Sequence, residues 1–199
     1  MLQCLVVIFN MVTYPNKIQK KSTKAISYSN RGMVLEDMLN ETNEYYLSED
    51  IALIYKKPTP IGTVKVGFEG GHKVINRAYF KTQSTLDYNG IYKGRYIEFE
   101  AKETKNKTSF PLSNIHKHQL EHLKKVIEHG GIGFIIISMN EEVFVLPGEI
   151  LINYIERELK KSLSYNFIKE NAYKVKIAYR PRCDYLTVID KVYFKEENI

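Results

Sequence analysis

Apolar residues recur along this chain with two different periods. Leu35, Met38, Leu39, Thr42 and Tyr46 repeat every three or four residues, the spacing of one helix face, and predict a helix over 32 to about 47. Glu36 stands at the edge of that stripe, where it can look inward. Residues 51–55 read as a short buried strand, ended by Lys56-Lys57-Pro58-Thr59-Pro60 because each proline disfavours continuation. Ser113 is the expected N-cap of a helix running to about His129, where Gly130-Gly131 stops it. On that helix Ile115, Leu123 and Val126 share a face, and Gln119 falls inside the apolar arc. Residues 133–137 form a strongly apolar strand, and Asn140-Glu141-Glu142 turns it into another over 143–146. A helix is expected over about 149–163 on Ile152, Ile155 and Leu159, and a strand over 185–189. The order helix, strands, helix, strands, helix predicts one α/β domain with a mixed sheet.

The segment 97–102 alternates strictly. Ile97, Phe99 and Ala101 take one face, and Glu98, Glu100 and Lys102 the other. Upstream stands Thr85-Leu86-Asp87. If the chain reverses at Lys93-Gly94 as a two-residue loop, Tyr92 faces Arg95, Asp87 falls opposite Glu100, and Thr85 falls opposite Lys102. Directly opposed residues hold their Cβ atoms roughly 4.5–5.5 Å apart. By residue type Asn89-Gly90 is the stronger hairpin dipeptide, and a turn there takes Asp87 away from Glu100. Two adjacent carboxylates repel unless a cation neutralises them. Mg²⁺ is typically held by one or two carboxylates with phosphate and water, and it can activate a water against a phosphodiester. Lys102 would then orient or help deprotonate that water, or neutralise charge in the transition state. The alternative is a plain charge ladder on a surface strand. Gln119, aimed inward, needs a partner: backbone, a metal-bound water or a phosphate. His118 and His122 have the i, i+4 spacing of some zinc sites, but no third ligand follows, so both are expected at the surface.

Composition sharpens the partner. The 199 residues suit one domain with a substantial core, and the net charge of +6 favours a polyanion, nucleic acid before anionic membrane. Lys17, Lys20, Lys21, Lys24 and Arg31 form a basic arm with no acid between them. Residues 61–81 carry Lys65, His72, Lys73, Arg77 and Lys81 against a single Glu69, with a Gly70-Gly71 break, and suggest an extended hairpin leaving the domain. Lys105 and Lys107 lie in a polar loop. Cys4 and Cys183 make neither a disulfide framework nor a metal set, and are expected as free thiols in a reducing cytoplasm. Residues 2–9 are mostly apolar but well short of the ~20 needed to span a bilayer, and they lack the marks of a signal peptide. No membrane partner is expected, and Met11 is an alternative start.

Several motifs together carry a specific likeness. Asn30-Arg31-Gly32-Met33 with Leu35-Glu36, Lys56-Lys57-Pro58-Thr59-Pro60, Asp87-Tyr88-Asn89-Gly90 and the run from Phe99 through Lys102 to Pro111 resemble the RecU family of Holliday junction resolvases. His118-Gln119, the strand after Gly130-Gly131, and Arg180-Pro181-Arg182 with Asp184-Tyr185 fit the same pattern, which spans about 14–194. The resemblance implies a restriction-endonuclease-like PD-(D/E)xK core: a mixed β-sheet flanked by helices, with a stalk matching about 59–79. The expected division is an N-terminal extension and flexible basic arm over 1–30 and a nuclease domain over 31–199, and residues 1–10 have no counterpart in the family pattern. The resemblance further implies a homodimer that nicks opposed strands of a four-way DNA junction with Mg²⁺ or Mn²⁺. Asp87 and Glu100 would be metal ligands, Lys102 the catalytic lysine, and Thr85, Gln119 and Glu36 would complete the site. Some members also modulate the RecA recombinase. This chain departs in the stalk, with Phe68-Glu69-Gly70-Gly71 in place of a Tyr-Pro-basic-basic stretch, and positive charge at Lys73 and Arg77 instead. The expected phosphate contacts are Lys20, Lys21, Lys24, Arg31, Lys56, Lys57, Lys73, Arg77, Lys105 and Lys107. A duplex-cutting nuclease on the same core and a non-cleaving junction binder are the alternative functions.

Overall fold

The computed structural model describes residues 35–81, 85–158 and 160–194. In chain order its elements are α1 (Leu35–Ser48), β1 (Leu53–Lys56), β2 (Ile61–Glu69), β3 (His72–Phe80), β4 (Tyr88–Tyr92), β5 (Arg95–Glu103), β6 (Ser109–Pro111), a 3₁₀ turn (Leu112–Asn114) and α2 (Lys117–Glu128). There follow β7 (Ile132–Met139), β8 (Glu142–Pro147), α3 (Gly148–Arg157), β9 (Ser162–Ser164), α4 (Tyr165–Asn171), β10 (Tyr173–Lys174), β11 (Lys176–Ile177), β12 (Cys183–Asp184) and α5 (Tyr185–Tyr193).

One mixed sheet runs in the order β1-β4-β5-β7-β8-β10. Within it β5 pairs with β7 in parallel, and α2 lies in the crossover that joins them. β7 is apolar on both sides because both faces of the sheet are covered. Ile132, Phe134 and Ile136 join Ile97, Phe99 and Ala101 in a core packed by α1 and α5. Ile135 and Ile137 join a second core with Leu123 of α2, Leu151 of α3 and Ile168 of α4. Glu98, Glu100 and Lys102 therefore point to the α2 side, opposite the aromatic core. β2 and β3 form a separate two-stranded hairpin, exposed nearly throughout.

Four expectations need correction. The strand expected to be buried over 51–55 is β1, an edge strand over Leu53–Lys56 in which only Ile54 is buried. The helix after Pro111 does not start at Ser113. The chain makes a 3₁₀ turn, extends at Ile115 and His116, and begins α2 at Lys117 with a capping box between His116 and Gln119. The helix expected over 149–163 ends at Arg157, because residues 162–164 pair with β6, and Leu159 lies outside the described residues. Residues 185–189 are helical, not extended. Tyr185, Leu186, Val188 and Ile189 are buried at positions i, i+1, i+3 and i+4, a helix face that outweighs the β-branched composition. Cys183 is a buried free thiol, while Cys4, Met11 and the basic arm lie outside the described residues.

Candidate active site

The hairpin that carries the acidic residues turns at Lys93-Gly94. Both residues have positive φ, 47° and 76°, as a type I′ turn requires. The register runs from Tyr92 opposite Arg95 to Tyr88 opposite Phe99, so Asp87 meets Glu100 just past the end of the ladder. Asn89 and Gly90 lie within β4. Gly90 is needed for close approach: a Cβ there would lie 2.0 Å from the carbonyl oxygen of Leu53 on β1. Behind the acidic face, Tyr88, Phe99 and Phe134 stack with ring centroids 4.8 Å apart at each step. That backing resists movement of β4 against β5.

Asp87 donates its backbone N–H to Glu100 Oε2 at 3.1 Å, and its carbonyl accepts the Lys57 N–H at 2.7 Å. Glu100 is fully buried. Its Oε1 lies 2.6 Å from Lys102 Nζ, an ion pair without hydrogen-bond alignment, and has no aligned donor. Burial, reinforced by the adjacent Asp87, holds the Glu100 carboxyl well above the ordinary carboxylate range, and Lys102 opposes the shift only in part. The site thus has a buried carboxylate with spare lone-pair capacity beside a second carboxylate. Among the described residues no three or more His, Cys, Asp or Glu are arranged so that they alone could hold a metal ion. Two carboxylates supplemented by neutral oxygens suit a hard, oxygen-seeking divalent cation better than zinc.

The other expected site residues surround this pair unevenly. Thr85 is half-buried in the bend leading to Asp87. Gln119 is buried on α2, and its Oε1 accepts the His116 N–H at 2.9 Å, which is the backbone partner its inward position calls for. Glu36 on α1 pairs with Lys56 at 2.5 Å. Burial raises the Tyr88 phenol, and the charges of Glu36, Asp87, Asp37 and Glu100 raise it further.

Of the expected phosphate contacts, Lys73 and Arg77 are exposed on β3, and Lys105 and Lys107 are exposed after β5. Lys56 and Lys57 instead pair with Glu36 and Glu98. Lys20, Lys21, Lys24 and Arg31 lie outside the described residues. His122 is not a bare surface histidine, since its Nε2 lies 2.9 Å from Glu98 Oε2. The alternation over 97–102 sets Glu98 on the acidic face but names no partners for it. The i, i+3 spacing of Gln119 and His122 is the available signal that α2 presents both to this face. Burial pushes the Glu98 carboxyl up, but Lys57, His122 and Tyr96 outweigh it and hold it below the ordinary value.

The family model for RecU, described as Recombination protein U, matches residues 30–191. The chain is 50% identical over 198 residues to a Holliday junction resolvase RecU of Bacillus subtilis (strain 168), covering 92% of this chain and 96% of the relative. It is 51% identical over 195 residues to the Holliday junction resolvase RecU of Bacillus licheniformis, covering 92% of this chain and 98% of the relative. A structural match to Hjc, a Holliday junction resolvase of Archaeoglobus fulgidus, has a TM-score of 0.36 at 10% identity, over 64% of this chain and 86% of that one.

Proposed function

The chain belongs to the RecU family of Holliday junction resolvases, and from that membership we propose that it cuts four-way DNA junctions at the Asp87–Glu100 pair. The reaction is phosphodiester hydrolysis. A water oxygen adds to phosphorus, one phosphorus–ester oxygen bond breaks, and a phosphate and a hydroxyl remain. The cofactor is a divalent cation, here Mg²⁺ with Mn²⁺ as substitute, held by Asp87 and Glu100 with Thr85 and Gln119 as further ligands. Held by those residues, such a cation would supply Lewis-acid polarisation of the scissile phosphate and an acidified water.

The chain's own groups do the rest. Glu100 Oε1, without an aligned donor, offers its lone pairs to the cation. Gln119 Oε1 keeps a second lone pair beside its His116 contact. The Lys102 ammonium, next to Glu100, neutralises negative charge as it builds on the phosphate and orients the attacking water. Glu36 closes the acidic margin on the α1 side. Lys73, Arg77, Lys105 and Lys107, with the arm residues Lys20, Lys21, Lys24 and Arg31, supply affinity through phosphate contacts without base reading. Paired nicks on opposed strands call for two sites related by two-fold symmetry, which a homodimer provides. The expected compartment is the cytoplasm, and among the described residues no helix is long and apolar enough to cross a membrane.

The observation that carries this reading is the convergence of Glu100 and Lys102, on one face of β5, with Asp87, which stands just before β4 and donates its backbone N–H to Glu100. The test is a synthetic four-way junction with Mg²⁺, beside a linear duplex of the same sequence. Symmetric paired nicks in the junction are expected, with much slower cutting of the duplex. Equal cutting of both would favour a general duplex nuclease. Tight junction binding in EDTA without cutting in Mg²⁺ would leave a binder only.

A further inference from the structure

We propose that Glu98 is a positioning residue for the metal site, a saturated carboxylate that fixes the Leu86–Asp87 backbone and the helix bearing Gln119. The inference rests on Asp87 and Glu100 being the metal-binding pair.

Glu98 shares the acidic face with Glu100 and is 1% exposed. Such a residue looks like a third ligand. Its hydrogen bonds exclude that role. Oε1 accepts from Lys57 Nζ and from the Leu86 backbone N–H at 3.2 Å. Oε2 accepts from the Tyr96 hydroxyl at 2.8 Å and from His122 Nε2 at 2.9 Å. An ionised carboxylate offers about four lone-pair sites, and these four donors fill them. Glu98 has nothing left for a cation.

The origin of the donors gives the role. Lys57 belongs to the leg that enters the β2–β3 hairpin, Leu86 directly precedes Asp87, Tyr96 is on β5 itself, and His122 is one helical turn beyond Gln119. Four segments meet on one side chain. Asp87 lies just outside the β4 ladder, so its placement depends on three bonds: Leu86 N–H to Glu98, Asp87 N–H to Glu100, and Lys57 N–H to the Asp87 carbonyl. Without the Glu98 acceptor, the Leu86 N–H is buried with no partner, because Leu86 is 1% exposed, and the Lys57 ammonium loses its counter-charge. Both losses act on the segment that presents the Asp87 carboxylate. Groups that orient metal ligands typically change metal affinity or activity by about 10–100-fold when removed.

The test uses Mn²⁺ alone as probe, with its binding followed by calorimetry on the full chain. E98Q keeps the size of the side chain but turns a donor toward two of the four donors. It is expected to bind a four-way junction in EDTA as wild type does, to bind Mn²⁺ about tenfold more weakly, and to lose kcat with KM for the junction unchanged. D87N runs beside it and is expected to lose Mn²⁺ binding altogether. Wild-type Mn²⁺ binding by D87N would overturn the metal pair, and this inference with it. Loss in D87N with none in E98Q would overturn the role of Glu98 alone. If E98Q does not fold, H122A removes one donor and leaves the carboxylate. It should weaken Mn²⁺ binding severalfold, and unchanged binding would overturn the inference.

Discussion

The backbone N–H of Asp87 donates to the side chain of Glu100 across 3.1 Å, so the two acidic residues are joined by the hairpin itself before any cation arrives. Their side chains still repel, and Glu100 does so from a buried position. The free protein therefore holds an electrostatically unfavourable pair. D87N should lower single-turnover junction cleavage by at least about 1000-fold. In EDTA the same variant should be more stable than wild type by about 1 kcal/mol, or about 2–4 °C in Tm for a chain of this size. Added Mg²⁺ should raise the Tm of wild type and leave D87N unmoved. Thermal melts with and without Mg²⁺ check all three stability outcomes.

Lys73 and Arg77 are exposed on β3, and neither charge is bound to an acidic partner among the described residues. If they contact phosphates, the double variant K73A/R77A should weaken junction binding in EDTA equally across junction sequences. The slope of log affinity against log salt should fall by about 2, close to one counterion per lost contact. An unchanged salt slope would remove both residues from the DNA interface.

Gly90 is the point where β1 and β4 come closest. G90A puts a Cβ against the Leu53 carbonyl and forces the edge strand away. A loss of about 3 kcal/mol is expected, at the upper end of overpacking costs. Because Lys57 follows β1 and binds both Asp87 and Glu98, Mn²⁺ affinity should fall as well. Chemical denaturation and Mn²⁺ titration of the same variant measure the two effects separately.

Burial pushes the Cys183 thiol up to about 12, with Asp184 adding to the shift. The folded state thus keeps the neutral thiol, while the unfolded chain ionises near its ordinary value of 9.0. Cys183 therefore stabilises the fold below about pH 9, and that contribution declines as pH rises from about 9 toward 12. Iodoacetamide at pH 8 should leave Cys183 unmodified in the native protein and label it in denaturant. Peptide mass spectrometry reads the difference.

Local pattern makes much of this legible in the sequence. The alternation of Ile97, Glu98, Phe99, Glu100, Ala101 and Lys102 fixes which side chains share a face, because a strand has period two whatever its neighbours. The turn is harder. Asn89-Gly90 has the better turn composition, yet Gly90 serves the approach of β1, a contact with residues 53 and 54 that no local rule contains. The 185–189 segment misleads for a related reason: β-branched side chains suggest a strand, while the spacing of Tyr185, Leu186, Val188 and Ile189 already describes a helix. The bonding of Glu98 is the least accessible. Its partners Lys57, Leu86 and His122 lie 41, 12 and 24 residues away in the chain, and only the folded sheet brings them together.

The β2–β3 hairpin leaves the chain between Lys57 and Thr85, and its base is closed by the Lys81 N–H on the Pro60 carbonyl at 2.9 Å. At its outer end, Gly70-Gly71, a Cβ added to either glycine would meet nothing within 4 Å. The root and the tip thus live under different rules. A change of leg length moves Lys57 or Thr85 and so bears on hydrolysis, whereas at the tip only the turn itself, with φ of 56° at Gly70 and 80° at Gly71, limits what can stand there. Descendants of this chain can drift in what the tip touches while inheriting the same chemistry, and a designer could exchange tips between relatives as interchangeable heads on one cutting tool.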